Sequence, residues 1–130
     1  MMLKQYAADL RAMGAGYVPK SVGRHVPVKF TFLIKDVDYS TASGAVWDGD
    51  VRTLPDASGA VLTALTITAV VQGDDTLVTV TAAAPSGYAP AARSTGEAAQ
   101  IFYDIHLTPS GGTKQVLLGG DFNVVAGVVQ

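Results

Sequence analysis

The chain has 130 residues, 48% of them hydrophobic and only 15% charged, with 14 glycines, 6 prolines and no cysteine. That length fits one domain, and so high an apolar fraction beside a net charge of −2 excludes intrinsic disorder. Without cysteine there is neither a disulfide framework nor a thiolate zinc site.

No apolar run reaches the ~18 residues that a membrane-spanning helix needs. Lys4, Asp9 and Arg11 interrupt the stretch where a secretion signal would require unbroken apolar residues, so an intracellularly made, soluble protein is expected. Charge is unevenly spread. Residues 1–35 carry Lys4, Arg11, Lys20, Arg24, Lys29 and Lys35 against Asp9, a balance of +5. Residues 36–130 carry Arg52, Arg93 and Lys114 against ten acids, a balance of −7. A basic leader on an acidic body fits an arm drawn onto its own domain, or copies associating with the arm of one on the body of the next. The basic residues are too sparse and too short of aromatic neighbours for a nucleic-acid footprint, and no nucleic-acid partner is expected.

In chain order, Leu3, Tyr6, Leu10 and Met13 recur at helical spacing, with Lys4, Gln5, Asp9 and Arg11 off the stripe and Gly14 placed to end it. This predicts a short N-terminal amphipathic helix, too brief to stand alone, that lies on its own domain or docks on a partner. Gly14, Gly16, Pro19 and Gly23 predict a loose connector over 14–24. Residues 1–24 thus read as an arm and residues 25–130 as a β domain expected to fold without it. The arm residues expected to meet a partner are Leu3, Tyr6, Leu10, Arg11, Met13, Tyr17, Lys20 and Arg24. Tyr39 and Tyr88, in loops, are further candidate contacts.

From His25 the period becomes two: Val26, Val28, Phe30, Phe32 and Ile34 alternate with Pro27, Lys29, Thr31, Leu33 and Lys35, and Pro27 places this strand at an edge. Residues 36–44 read as a turn, and 45–54 as a strand centred on Trp47 and Val51 with a kink at Gly49. A turn over 55–59 leads to one long strand, 60–71, with Leu65, Ile67, Ala69 and Val71 on one face and Thr66 and Thr68 on the other. Gly73-Asp74-Asp75 turns the chain into a hairpin partner, Thr76 to Ala82. Residues 83–96 read as a long connection between sheets with a helical turn around 89–93. A strand over 97–107 follows, with Ile101, Tyr103, Ile105 and Leu107 on one face, then a turn at Pro109-Ser110-Gly111-Gly112. Strands over 114–118 and 122–128, broken at Gly119-Gly120, complete an all-β, antiparallel sandwich of about seven strands.

Residues suited to chemistry are few. His25 and His106 fall in strand-like alternation without a nucleophile motif, which points to hydrogen-bonded structural histidines. Asp36/Asp38, Asp48/Asp50 and Asp74/Asp75 have the oxygen chemistry calcium favours, yet none fits the helix-flanked calcium loop, and turn formation accounts for them equally well. Gly111-Gly112 and Gly119-Gly120 precede no helix and cannot form a phosphate cradle. No catalytic residue, metal or cofactor is expected. Trp47, Tyr103 and Phe122 read as core.

Several short segments carry a resemblance: Val51-Arg52, Leu65-Thr66-Ile67-Thr68, Val78 to Ala82, Tyr103-Asp104-Ile105-His106-Leu107, Gly111-Gly112, and Leu117 to Val124. Their order resembles the immunoglobulin-like domain of phage tail and baseplate structural proteins, notably the N-terminal domain of siphophage upper baseplate proteins, over about residues 28–128. The connection 81–97 is longer than in that pattern, and the arm lies outside it. The resemblance implies an immunoglobulin-like sandwich in a virion structural protein with no catalytic duty, assembled in the host cytoplasm. Its implied partners are further copies of itself and neighbouring virion proteins, with no membrane. A capsid decoration or head-fibre base protein is a second reading. A carbohydrate-binding module stacking sugars on Trp47 and Tyr88 is a third.

Overall fold

The computed structural model describes residues 16–53, 60–89 and 98–125, so the expected helix over residues 3–13 and the turn over 55–59 lie outside it. The period-two pattern becomes nine strands among the described residues: β1 (Gly16–Tyr17), β2 (Lys20–Gly23), β3 (Val28–Ile34), β4 (Val46–Arg52), β5 (Val61–Ala64), β6 (Thr66–Gln72), β7 (Asp75–Ala82), β8 (Ala98–Thr108) and β9 (Gln115–Val125). They form two sheets. One runs β3-β7-β6; the other runs β1-β9-β8-β4-β5, with β2 also on β9.

Alternation decides which side of each strand meets the other sheet. On β3, Val28 is buried and Phe30, Phe32 and Ile34 pack against the core, while Lys29, Thr31 and Leu33 are exposed. On β8, Ile101, Tyr103, Ile105 and Leu107 are buried, as the spacing predicts. Edge-on aromatic contacts join the layers: Tyr103 lies 5.8 Å from Phe30 and 5.9 Å from Phe122, and Phe32 lies 6.2 Å from Trp47. The sheet β3-β7-β6 facing β4-β8-β9 is the immunoglobulin-like sandwich layout, with β5 added beside β4. Here the leading strands run along β9 instead of joining the β3 sheet.

Five expectations are corrected. The long strand over 60–71 is two strands, because the chain crosses at Leu65 from the larger sheet to the smaller. The Leu65 N–H donates to the Gly49 carbonyl at 2.8 Å, and a Cβ on Gly49 would lie 2.9 Å from the Asp104 carbonyl and 3.2 Å from Leu65 Cδ1. Gly49 is therefore a point of close approach, and register runs through it unbroken against β8. Likewise Gly119-Gly120 does not interrupt β9, which is one strand of 11 residues. His25 lies in the turn between β2 and β3, not in a strand, and a 3-10 turn forms at Pro85–Gly87; residues 90–93 of the expected helical turn lie outside the described residues.

The fifth correction concerns residues 16–23. They are not a loose connector: β1 and β2 pair in parallel with β9, Gly16 opposite Leu118 and Lys20 to Gly23 opposite Phe122 to Val125. The boundary between arm and domain is thus not at residue 24. Between β1 and β2 the Val18 N–H donates to the Gly119 carbonyl at 2.8 Å, and the Tyr103 hydroxyl donates to the Val18 carbonyl. Val18-Pro19 crosses so closely over Gly120 that any Cβ there would overlap the Val18 carbonyl. Removing residues 1–24 would strip two strands from the larger sheet, so the domain is not expected to stand without them.

Tyr103→Phe should cost about 1 kcal/mol, the net worth of one hydrogen bond. Gly120→Ala should cost more, about 1–3 kcal/mol, because the leading strands must lift from β9. Denaturant unfolding of both variants measures this, and a neutral Gly120→Ala would contradict the crossing.

Candidate functional site

On the outer face of the larger sheet, alternation along β4 turns Val51 inward and Asp48, Asp50 and Arg52 outward. Register sets Asp50 directly opposite Asp104 of β8, and Asp48 opposite His106. Two carboxylates facing each other across a ladder repel. Arg52 relieves this: one guanidinium nitrogen donates to Asp50 Oδ2 at 2.9 Å, and its Nε lies 4.0 Å from Asp104 Oδ2. His106 Nε2 is 3.0 Å from the other Asp104 oxygen, so this histidine is hydrogen-bonded as expected. Lys114 reaches Asp48 at 3.2 Å, but both ends are exposed and such a pair contributes about 0–1 kcal/mol. Beyond them Phe102, opposite both Arg52 and Asp121, is buried, and Asn123 Nδ2 donates to Asp121 Oδ2 at 2.7 Å. The face is a band of paired charges in which Asp48, Asp50 and Asp104 meet Arg52 and Lys114.

A second polar cluster lies where the β3–β4 loop meets the β6–β7 turn. Asp36, Val37, Asp38, Val71, Gly73, Asp74 and Asp75 line an open hollow of about 490 Å³. Two of the three acidic pairs singled out in sequence thus come together, and the third belongs to the charged face. Their oxygens are held by the protein itself. Asp75 accepts the Asp36 N–H at 2.9 Å and Lys35 Nζ at 3.2 Å, and Asp38 Oδ1 accepts the Ser40 hydroxyl at 2.6 Å and N–H at 3.0 Å. The Asp36 N–H holds the Asp75 carboxyl below its ordinary range against some desolvation, with help from Lys35, and the Ser40 hydroxyl and N–H do the same for Asp38. Beneath them Thr76, fully buried, accepts the Tyr39 N–H at 2.8 Å and donates to the Val37 carbonyl at 2.7 Å. Among the described residues no three acidic or histidine side chains are grouped to hold a metal ion.

The remaining candidates scatter. Leu3, Tyr6, Leu10, Arg11 and Met13 lie outside the described residues, and Tyr17 is placed in β1 by its backbone. Lys20 sets its ammonium 4.4 Å from the centre of the Phe30 ring, a contact within the domain. Arg24 sits in the β2–β3 turn, its carbonyl accepting the Ser86 N–H at 2.7 Å. Tyr88 packs against the core with its hydroxyl on the Ala83 carbonyl at 3.1 Å, and burial raises its pKa. Tyr39 is half-buried, its carbonyl accepting Trp47 Nε1 at 2.8 Å. Trp47 and Tyr88 are therefore engaged in internal contacts, not offered as open stacking platforms. Sequence reading passed over Arg52 as the centre of the charged face; its signal was the period-two spacing of Asp48, Asp50 and Arg52 beside Asp104 and His106. No protein-family model matches the chain, and no curated protein matches it.

Thr76→Val should cost about 1–3 kcal/mol by leaving the Tyr39 N–H and Val37 carbonyl unpaired, read as a lowered Tm. A second outcome concerns pH. Depressed carboxyl pKa values favour the folded state above the unfolded value and lose that contribution as pH falls through the folded value. The amide signals of Asp36 and Ser40 should therefore hold steady at neutral pH and move below about pH 4, ahead of global unfolding. Signals invariant to the point of unfolding would contradict this.

Proposed function

We propose that this chain is a non-enzymatic structural subunit of a bacteriophage particle, present in several copies at the tail, baseplate or fibre attachment. It docks through its leading segment and its sheet edges onto other copies and neighbouring virion proteins. The observation that carries this reading is the parallel docking of β1 and β2 on β9. It places residue 16 at the margin of the sandwich, so the stretch before it, with the helical spacing of Leu3, Tyr6, Leu10 and Met13, leaves from a set position. The internally paired charges of the β4–β8 face and the hydrogen-bonded His106 support it, since both suit a scaffold. The resemblance of residues 28–128 to phage baseplate domains supplies the virion setting. No cofactor is needed for such a role.

Removing residues 1–15 deletes Leu3, Tyr6, Leu10 and Met13 and keeps the nine strands of the described residues. In phage assembled with the truncated chain, quantitative mass spectrometry should find it missing from particles, while the purified truncated protein keeps the β signature and cooperative unfolding of the full chain. Normal incorporation would contradict the proposal, and loss of folding would assign the stripe to the domain's own core. Whether the full chain travels with purified tails or purified heads separates a baseplate component from a capsid decoration protein.

A further inference from the structure

Exposed sheet edges invite pairing with other chains, and proteins blunt them with proline, lysine, bulges or shortness. Three edges of this sandwich carry such devices. β3 is preceded by Pro27 and carries Lys29, with Lys35 just beyond its end. β5 has only 4 residues, and its pairing with β4 shifts register at Val51/Arg52. The β1/β2 edge is broken at Val18-Pro19 and resumes with Lys20. β6 has none of them. Its 7 residues, Thr66–Gln72, include no proline and no charge. Among the described residues nothing hydrogen-bonds it as a strand except β7, on its inner side.

Val70 and Val71 on this strand are 55% and 54% exposed. Val71 is the more informative. It lies on the core side with Ile67 and buried Ala69, opposite buried Thr76, yet at the rim of the acidic hollow it stays more than half exposed. A neighbouring strand would cover it further.

We infer that the free edge of β6 is a homotypic interface, pairing antiparallel with β6 of a second copy to form one continuous sheet, β3-β7-β6-β6-β7-β3. The inference rests on the multi-copy reading only in taking another copy as the occupant, and the strand's own composition favours that choice. Keeping core-side residues on the core side requires partners of equal parity, since a one-residue slip would reverse the faces. Of such registers, the one centred on Ala69 overlays the whole strand. It sets Ile67 against Val71 of the second copy inside, Thr68 against Val70 outside, and Thr66 against Gln72, with no charge opposite a charge. Antiparallel pairing also keeps the two acidic turns apart, because Asp74 and Asp75 follow β6 at opposite ends of the joined strands; parallel pairing would bring them together.

The absence of native cysteine makes the register directly testable. Full-length Thr68→Cys and Val70→Cys chains, mixed under mild oxidation, should crosslink several-fold faster than either alone, because directly opposite residues meet disulfide geometry. The unaltered chain should sediment as a dimer at high micromolar concentration. Val70→Lys, on the solvent side, should keep its circular dichroism and raise the dissociation constant on the order of tenfold or more. A monomer at that concentration, a dimer indifferent to Val70→Lys, or crosslinking no faster in the mixture would each overturn the inference. The experiment uses purified protein alone, so its result is independent of whether the chain enters a phage particle.

Discussion

The passage of Val18-Pro19 over Gly120 is the contact on which the rest of the architecture turns. Only a residue without a side chain at 120 lets the leading segment lie this close to the last strand. Tyr103 then fastens it, since the ring that packs edge-on between Phe30 and Phe122 also gives its hydroxyl to Val18. One side chain thereby joins the smaller sheet, the larger sheet and the leading strands. First and last strands are held together, and residue 16 is placed at the margin of the larger sheet.

A matching constraint operates on the other side of the sandwich. Gly49 lets the chain cross at Leu65 from one sheet to the other, and its carbonyl receives the Leu65 N–H. That crossing makes β6 the last strand of the smaller sheet, and so creates the edge that carries neither proline nor charge. Buried side-chain polar atoms among the described residues all have partners, consistent with a scaffold that holds one shape.

Much of the sandwich was legible in sequence. β3 and β7 each bury one face and β8 does so from Tyr103 onward, so the alternation survives in Val28 to Ile34, Thr76 to Ala82 and Tyr103 to Leu107. What escaped was long-range. The run from Val61 to Val71 holds no glycine, proline or charge, so no turn residue marks the change of sheet at Leu65. Gly119-Gly120 looks like a break, because the Val18 backbone that requires a glycine is about a hundred residues away in sequence. The parallel pairing of residues 16–23 has no signature of its own, and its glycines and proline read as a linker. At the site, the acidic doublets were visible but not their convergence: whether Asp36/Asp38 meet Asp74/Asp75 depends on which turns share an end of the sandwich. Arg52 gained its role only once β4 and β8 were placed in register.

The most direct measurement of the central claim, that the leading segment is a strand of the domain and positions what precedes it, is amide hydrogen exchange in the intact chain. Slow exchange reports backbone groups that open only with the whole fold. The account predicts that the hydrogen-bonded amides of residues 16–23, Val18 among them, exchange as slowly as those of β9. Exchange at the rate of the 109–114 turn would contradict it.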